Sequence, residues 1–282
     1  MRYAWRTFFF ATTTMLGLIA PKGAVGDISV SGSFGPNGDI GFVTSPPSLG
    51  VTFGPDSQGY IYQMDAFVNV PSANLGAGTG VSADLANGAP TGVSFTFSAT
   101  QPTADQLLLS YQFVNNTTAA LPSFQFLYFI NPSIGENFAD EWATTSNTST
   151  LGLPGPTSYQ IGDPSLSSIF TNLALGTLSN GNDFPTSSQA GDVSVALGFT
   201  VSTLAVGQTA TVDVLLSDNG TSLGGFTTTE HSPDIPGDLL TISGAVVPEP
   251  SSLILLTVGS LMGLTPLVRR TVRRRQACTR SQ

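Results

Sequence analysis

The chain has 282 residues, a formal charge of −9, one histidine and one cysteine. All nine basic residues lie near the ends, the last before the body being Lys22 and the next Arg269, whereas all eighteen acids lie between Asp27 and Glu249. A body without Lys or Arg cannot grip phosphate, which excludes nucleic-acid binding and phosphoryl transfer. With Cys278 in the tail as the sole cysteine, the body has no intrachain disulfide, cysteine nucleophile or thiolate metal site.

Residues 1–26 read as a secretory signal peptide. Arg2 and Arg6 form a charged start, residues 8–20 are apolar or small, and the run is short for a bilayer span. Ala24-Val25-Gly26 places small residues at the −3 and −1 positions, so cleavage is expected between Gly26 and Asp27.

From 27 to 246 the pattern is all-β. Ile28, Val30 and Phe34 alternate with Ser and Gly, and a strand over 48–53 follows Pro46-Pro47. Residues 60–70 carry Tyr60, Tyr62, Met64, Ala66 and Val68 at period two, which predicts one face for all five. Clean alternation continues over 92–99, over 106–114 through Leu107, Leu109, Tyr111 and Phe113, and over 192–204 through Val193, Val195, Leu197, Phe199 and Val201. Residues 124–130 are apolar apart from Gln125, which predicts a strand buried on both faces. Residues 209–217 and 221–229 flank Asp218-Asn219-Gly220, a turn sequence that predicts a hairpin, and 239–246 is the last strand.

One segment departs from period two. Asp163 as a cap, Pro164 in the first turn, apolar residues at 166, 169, 170 and 173, and Gly176 as a stop predict a short helix across one end of the sheets. The Ser/Thr/Asn/Gly/Pro-rich stretches 144–156 and 177–190 read as loops. With no repeat of fixed period, the body is expected to be one antiparallel β-sandwich, jelly-roll-like, with one short helix.

Chemistry-bearing residues are sparse. His231, in Thr229-Glu230-His231-Ser232-Pro233-Asp234, reads as an exposed loop histidine; no G-x-S-x-G elbow accompanies it, so a Ser-His-Asp triad is not supported. Glu136, Asp140 and Glu141 beside Trp142 form the densest acidic and aromatic group. The four-residue spacing of Glu136 and Asp140 is too close to flank a glycosidic bond, so a sugar contact through Trp142 outranks hydrolysis, and packing of Trp142 at the core edge outranks both. Asp218, Asp183 and Asp234 offer hard oxygens for weak calcium binding, though no EF-hand spacing is present and turn formation explains each more simply. No other cofactor is expected.

The C-terminal region has three parts: Val247-Pro248-Glu249-Pro250-Ser251, an uncharged apolar run to Val268, and a basic cluster from Arg269 and Arg270 to Arg275. The prolines hold the chain extended. A helix over 251–268 covers about 27 Å, close to a hydrocarbon core. The arginines stop transfer and stay cytoplasmic. This layout resembles the PEP-CTERM sorting signal of Gram-negative bacteria, with Pro248, Glu249 and Pro250 as the motif. The resemblance covers 247–275; the tail at 276–282 runs on past the arginines, where the family usually stops soon after them. It implies that an exosortase, a membrane-bound enzyme resembling a cysteine protease, recognises the signal and releases or transfers the protein to the cell exterior. The implied protein is a non-enzymatic component of the cell surface or extracellular matrix, transiently anchored in the inner membrane, with exopolysaccharide as a neighbour. A secreted carbohydrate-binding module is the alternative, and a secreted hydrolase a more distant one.

Overall fold

A computed structural model describes residues 28–31, 34–35, 38–40, 50–53, 59–69, 83–85, 93–134, 138–148, 153–233 and 239–247. The expected signal peptide with its Gly26/Asp27 cleavage point, and the expected motif, span and basic stop from 248 onward, lie outside the described residues, as do Glu136 and Asp234. Among the described residues no helix is long and apolar enough to cross a membrane.

The period-two segments form two sheets, antiparallel in all but one short pairing. Sheet I runs in the order β1 (Ser29–Ser31), β2 (Gly50–Phe53), β3 (Gly59–Asn69), β7 (Phe124–Ser133), β11 (Ser194–Val201), β9 (Ser158–Gly162) and β10 (Gly181–Asn182), with β4 (Ala83–Asp84) also paired to β3. Sheet II runs β5 (Val93–Thr100), β6 (Gln106–Asn115), β12 (Thr209–Ser217), β14 (Leu239–Val247), β13 (Gly225–His231) and β8 (Trp142–Thr148). Among the described strands, only β9 and β10 pair in parallel. The body is thus all-β, two sheets enclosing one core.

Alternation turns one side of each strand inward. Leu107, Leu109, Tyr111 and Phe113 of β6 meet Phe124, Phe126 and Phe199 of sheet I, with Tyr111 and Phe126 ring centroids 4.7 Å apart and Phe113 and Phe124 5.5 Å apart. Each fully buried ring of this kind contributes about 2–3 kcal/mol. The outer face of β7 is covered as well. Ile169 and Leu173 of α1 (Ile169–Leu175) pack with Leu127, Phe129 and Ala196, which explains why residues 124–130 lack polar alternation.

Four expectations change on folding. The helix is shorter than 163–176 and lies on the outer face of sheet I instead of crossing an end. Asp163 caps a preceding turn, its Oδ1 accepting from the backbone N–H groups of Ser165 at 2.6 Å and Leu166 at 2.9 Å. Gly176 ends the helix in the left-handed region (φ 70°), as anticipated.

In β3, a register shift between Ile61 and Gln63 breaks the period. Ile61 and Met64 both reach the core, so Tyr60 and Tyr62 occupy the opposite face, their hydroxyls bonded to each other.

Residues 209–217 and 225–231 do not form a hairpin. Both pair with β14, which lies between them. Residues 218–224 therefore run back along the sheet, and Leu223 N–H donates to the outward-facing, fully buried Ser243 Oγ at 3.0 Å.

Residues 142–148, expected in a loop, form the edge strand β8, paired through Thr144, Thr145 and Ser146 with Thr229, Thr228 and Thr227. A run of Thr and Ser suits a pleated edge without signalling an apolar face.

Candidate functional site

The start of β8 and the end of β13 bring the expected aromatic and acidic residues to one end of the sandwich. Trp142 and His231 are direct cross-strand partners. Their rings stack at 5.4 Å between centroids and 19° between planes, and Thr144 Oγ1 lies 3.1 Å from His231 Nε2. His231 is therefore a half-buried strand residue and not an exposed loop histidine; burial holds its imidazole below the usual range, in the neutral form. Trp142 is also half-buried, on the outer face of the sheet, and is not among the side chains packed in the core.

Because side chains alternate, the neighbours of this stack point the other way, into the interior. Glu141 and Glu230 are both fully buried. Glu141 Oε1 accepts from Ser133 Oγ at 3.1 Å and from Ile134 N–H at 2.6 Å, both at the end of β7. Glu230 is the register partner of Ala143, two residues on from Glu141, so the two buried carboxyls are set on the same inward face at this end. Written as two carboxylates, Glu141 Oε2 and both Glu230 oxygens have no donor among the described residues. Burial, and then for Glu141 the facing Glu230 charge, push the pair well above the ordinary carboxyl range.

The surroundings add negative charge and no positive charge. Asp192, at the entrance to β11, is raised to about 6 by burial and by Asp163 behind it. Tyr62 is raised by burial, by its bond to Tyr60, and by Asp192 and Glu141. The backbone closes this end through Gly191 N–H to Glu141 O at 2.9 Å, Ala143 N–H to Phe184 O at 2.9 Å, and Asn182 Nδ2 to Ala143 O at 2.7 Å.

Of the expected acidic group, Glu141 is sealed in the interior, and Asp140 is half-buried at the end of the 3₁₀ turn Phe138–Asp140. A carboxyl pair closed to solvent cannot reach a polysaccharide, so Glu141 and Glu230 do not form a glycosidase-type dyad. The expected calcium residues are separately placed. Asp218 is buried where β12 ends, beside Asp105, while Asp183 is exposed beyond β10, near Gly162 and Ser167. Among the described residues no three His, Cys, Asp or Glu side chains are grouped to hold a metal ion.

Glu230, Asp192 and Tyr62 carry much of the electrostatics of this end without standing out in the sequence. The available signal was the phase of Phe226, Thr228 and Glu230, which sets a carboxyl on the inward face of a strand. Compared with known proteins, the chain matches no family model and no curated protein.

Proposed function

We propose that the chain is an exported, non-enzymatic surface or extracellular-matrix protein that an exosortase sorts through its C-terminal signal. The observation that carries this reading is the order Pro248-Glu249-Pro250, uncharged 253–268, then Arg269-Arg270. Support comes from the position of β14, the last described strand, which ends at Val247 immediately before Pro248 of the motif. The body, a jelly-roll-like sandwich in this reading, is the cargo. The 251–268 helix holds it in the inner membrane until processing, with the basic cluster on the cytoplasmic side.

The test is expression in a Gram-negative host that carries an exosortase. Wild type is expected outside the inner membrane as a product shortened at its C terminus. A variant with Pro248→Ala, Glu249→Ala and Pro250→Ala should remain full length in the inner membrane. Identical mass and location for the two would end the proposal.

The half-open Trp142 ring, held flat against His231, favours one second reading: a carbohydrate-binding face. Glycan-array binding that Trp142→Ala abolishes supports it; no binding by wild type removes it.

A further inference from the structure

The Glu141–Glu230 pair plays no part in sorting, yet it joins the two sheets. Glu141 precedes the edge strand of sheet II, and its Oε1 is held by Ser133 and Ile134 at the end of β7 in sheet I. Its backbone carbonyl is tied to Gly191 at the entrance to β11, and Glu230 stands on the same inward face of β13, in register with Ala143 two residues on. Two ionised carboxylates in this position have three oxygens without a donor. Each unmet polar atom costs about 1–3 kcal/mol, and like charges repel strongly away from water.

An ion pair cannot relieve this, because residues 23–268 contain no Lys or Arg. Among the described residues, the titratable groups around the pair are Asp192 before β11, with Asp163 behind it, and Tyr62 on the other face of β3; all are neutral or acidic. His231 turns to the outer face against Trp142.

One shared proton satisfies two of the three orphan oxygens and removes one of the two charges. With Glu141 as the carboxylic acid, Oε1 remains the acceptor for Ser133 and Ile134, and Oε2–H donates to a Glu230 oxygen.

We propose that Glu141 and Glu230 are a proton-held latch between the sheets, one carboxyl donating to the other, which closes this end of the sandwich and loosens as the solution turns alkaline. The sign follows from linkage. A carboxyl raised on folding binds more protons in the folded state, so stability is greatest below the unfolded carboxyl pKa and falls as pH rises toward the folded one. Asp192 and Asp65, each raised to about 6 by burial first, bend the profile the same way but are spent above that pH. A continued fall on the alkaline side belongs to the latch.

The test is thermal unfolding of the full-length chain in neutral detergent from pH 5 to 9, for wild type, Glu141→Gln and the double variant Glu141→Gln/Glu230→Gln. A Gln at 141 keeps the acceptor for Ser133 and Ile134 and donates permanently to Glu230. Wild-type Tm is expected to drop on the order of 10 °C between about pH 6.5 and 9, and the double variant to lose most of that drop. Parallel curves for wild type and the double variant overturn the proposal. So does a wild-type alkaline drop that Ca²⁺ abolishes while leaving the double variant unmoved, since a cation would then hold the pair.

A second measurement needs no variant at the pair. Isotope-edited infrared spectra of glutamate-labelled protein should keep a carboxylic C=O band at neutral pH, where solvated glutamates are ionised. Carboxylate bands alone at neutral pH overturn it.

Discussion

The two ends of sheet II bury polar side chains in opposite ways. At the end where β6 finishes, Asn115 is fully buried and fully partnered. Its Nδ2 donates to Ala119 O and Leu204 O, each at 2.9 Å, and its Oδ1 accepts from Thr117 N–H at 2.9 Å and Thr117 Oγ1 at 2.7 Å. At the end where β13 finishes, Glu141 and Glu230 are equally buried, but three of their four oxygens have no donor, and a shared proton satisfies two of the three. A neutral amide with four bonds is a fixed clasp at any pH. An acid pair without counter-charge is a clasp only while it is protonated. The difference traces back to composition, since a body with no Lys or Arg can satisfy a buried carboxyl only with neutral donors or protons.

The largest expected effect lies at the amide end. Asn115→Ala removes all four side-chain bonds and opens a cavity at a fully buried position, at a cost of about 3 kcal/mol. Denaturant titration should give the same loss at pH 5 and pH 8. A loss that grows with pH would mean that this end, too, depends on ionisation, and the contrast between the ends would fail.

Glu230→Gln should act with the opposite sign on the acidic side of the comparison. It removes an acid that is raised on folding, so it should be near neutral at about pH 3, where the acid is protonated in both states, and stabilising by about 1–2 kcal/mol at pH 8. Destabilisation at pH 8 would show that the carboxylate at 230 is favourably bound.

The contrast also marks what could be read from sequence. The strands with one apolar side, β5 and β6, were legible because their alternation survives into the structure, and the doubly buried β7 was legible from a run that is apolar apart from Gln125; β11 alternates in sequence but is buried on both faces, since Ala196 lies under the helix. Asn115 lies just past the alternating residues 106–114, and nothing local announces that its side chain meets Leu204. Glu141 and Glu230 are brought together only by the pairing of β8 with β13. That pairing was hidden twice: β8 is an edge strand of Thr, Ser and Asn, and the turn at Asp218-Asn219-Gly220 leads into a long return instead of a hairpin. Backbone hydrogen bonds to distant strands decide both, and a period count along one segment does not contain them. The bulge after Ile61 is of the same kind, since one extra residue silently exchanges the two faces for Tyr60 and Tyr62.

A smaller effect is expected at the outer face of the acidic end. Trp142→Ala removes the stack on His231 and should cost about 1 kcal/mol. Because burial depresses the imidazole, opening this face should raise its titration midpoint toward the ordinary histidine range, as followed by proton NMR of the single histidine. An unchanged midpoint would mean that Thr144 and the strand, not the indole, shield the ring, and the inner carboxyls would then sit behind a wall that does not need Trp142.

The smallest expected effect is that of calcium, and it separates surface charge from the latch. Asp183 is exposed and Asp218 is buried beside Asp105, so the two do not offer a common shell. The body nevertheless carries its acids without a single compensating cation between Lys22 and Arg269. Loose association of Ca²⁺ with this surface relieves repulsion and should raise Tm by about 1–3 °C beyond a sodium salt of matched ionic strength. Equal shifts from the two salts would reduce the effect to screening. The increment should be the same in wild type and in Glu141→Gln/Glu230→Gln, because a sealed pair that already holds a proton has neither an opening nor enough oxygens for an ion that takes six to eight ligands.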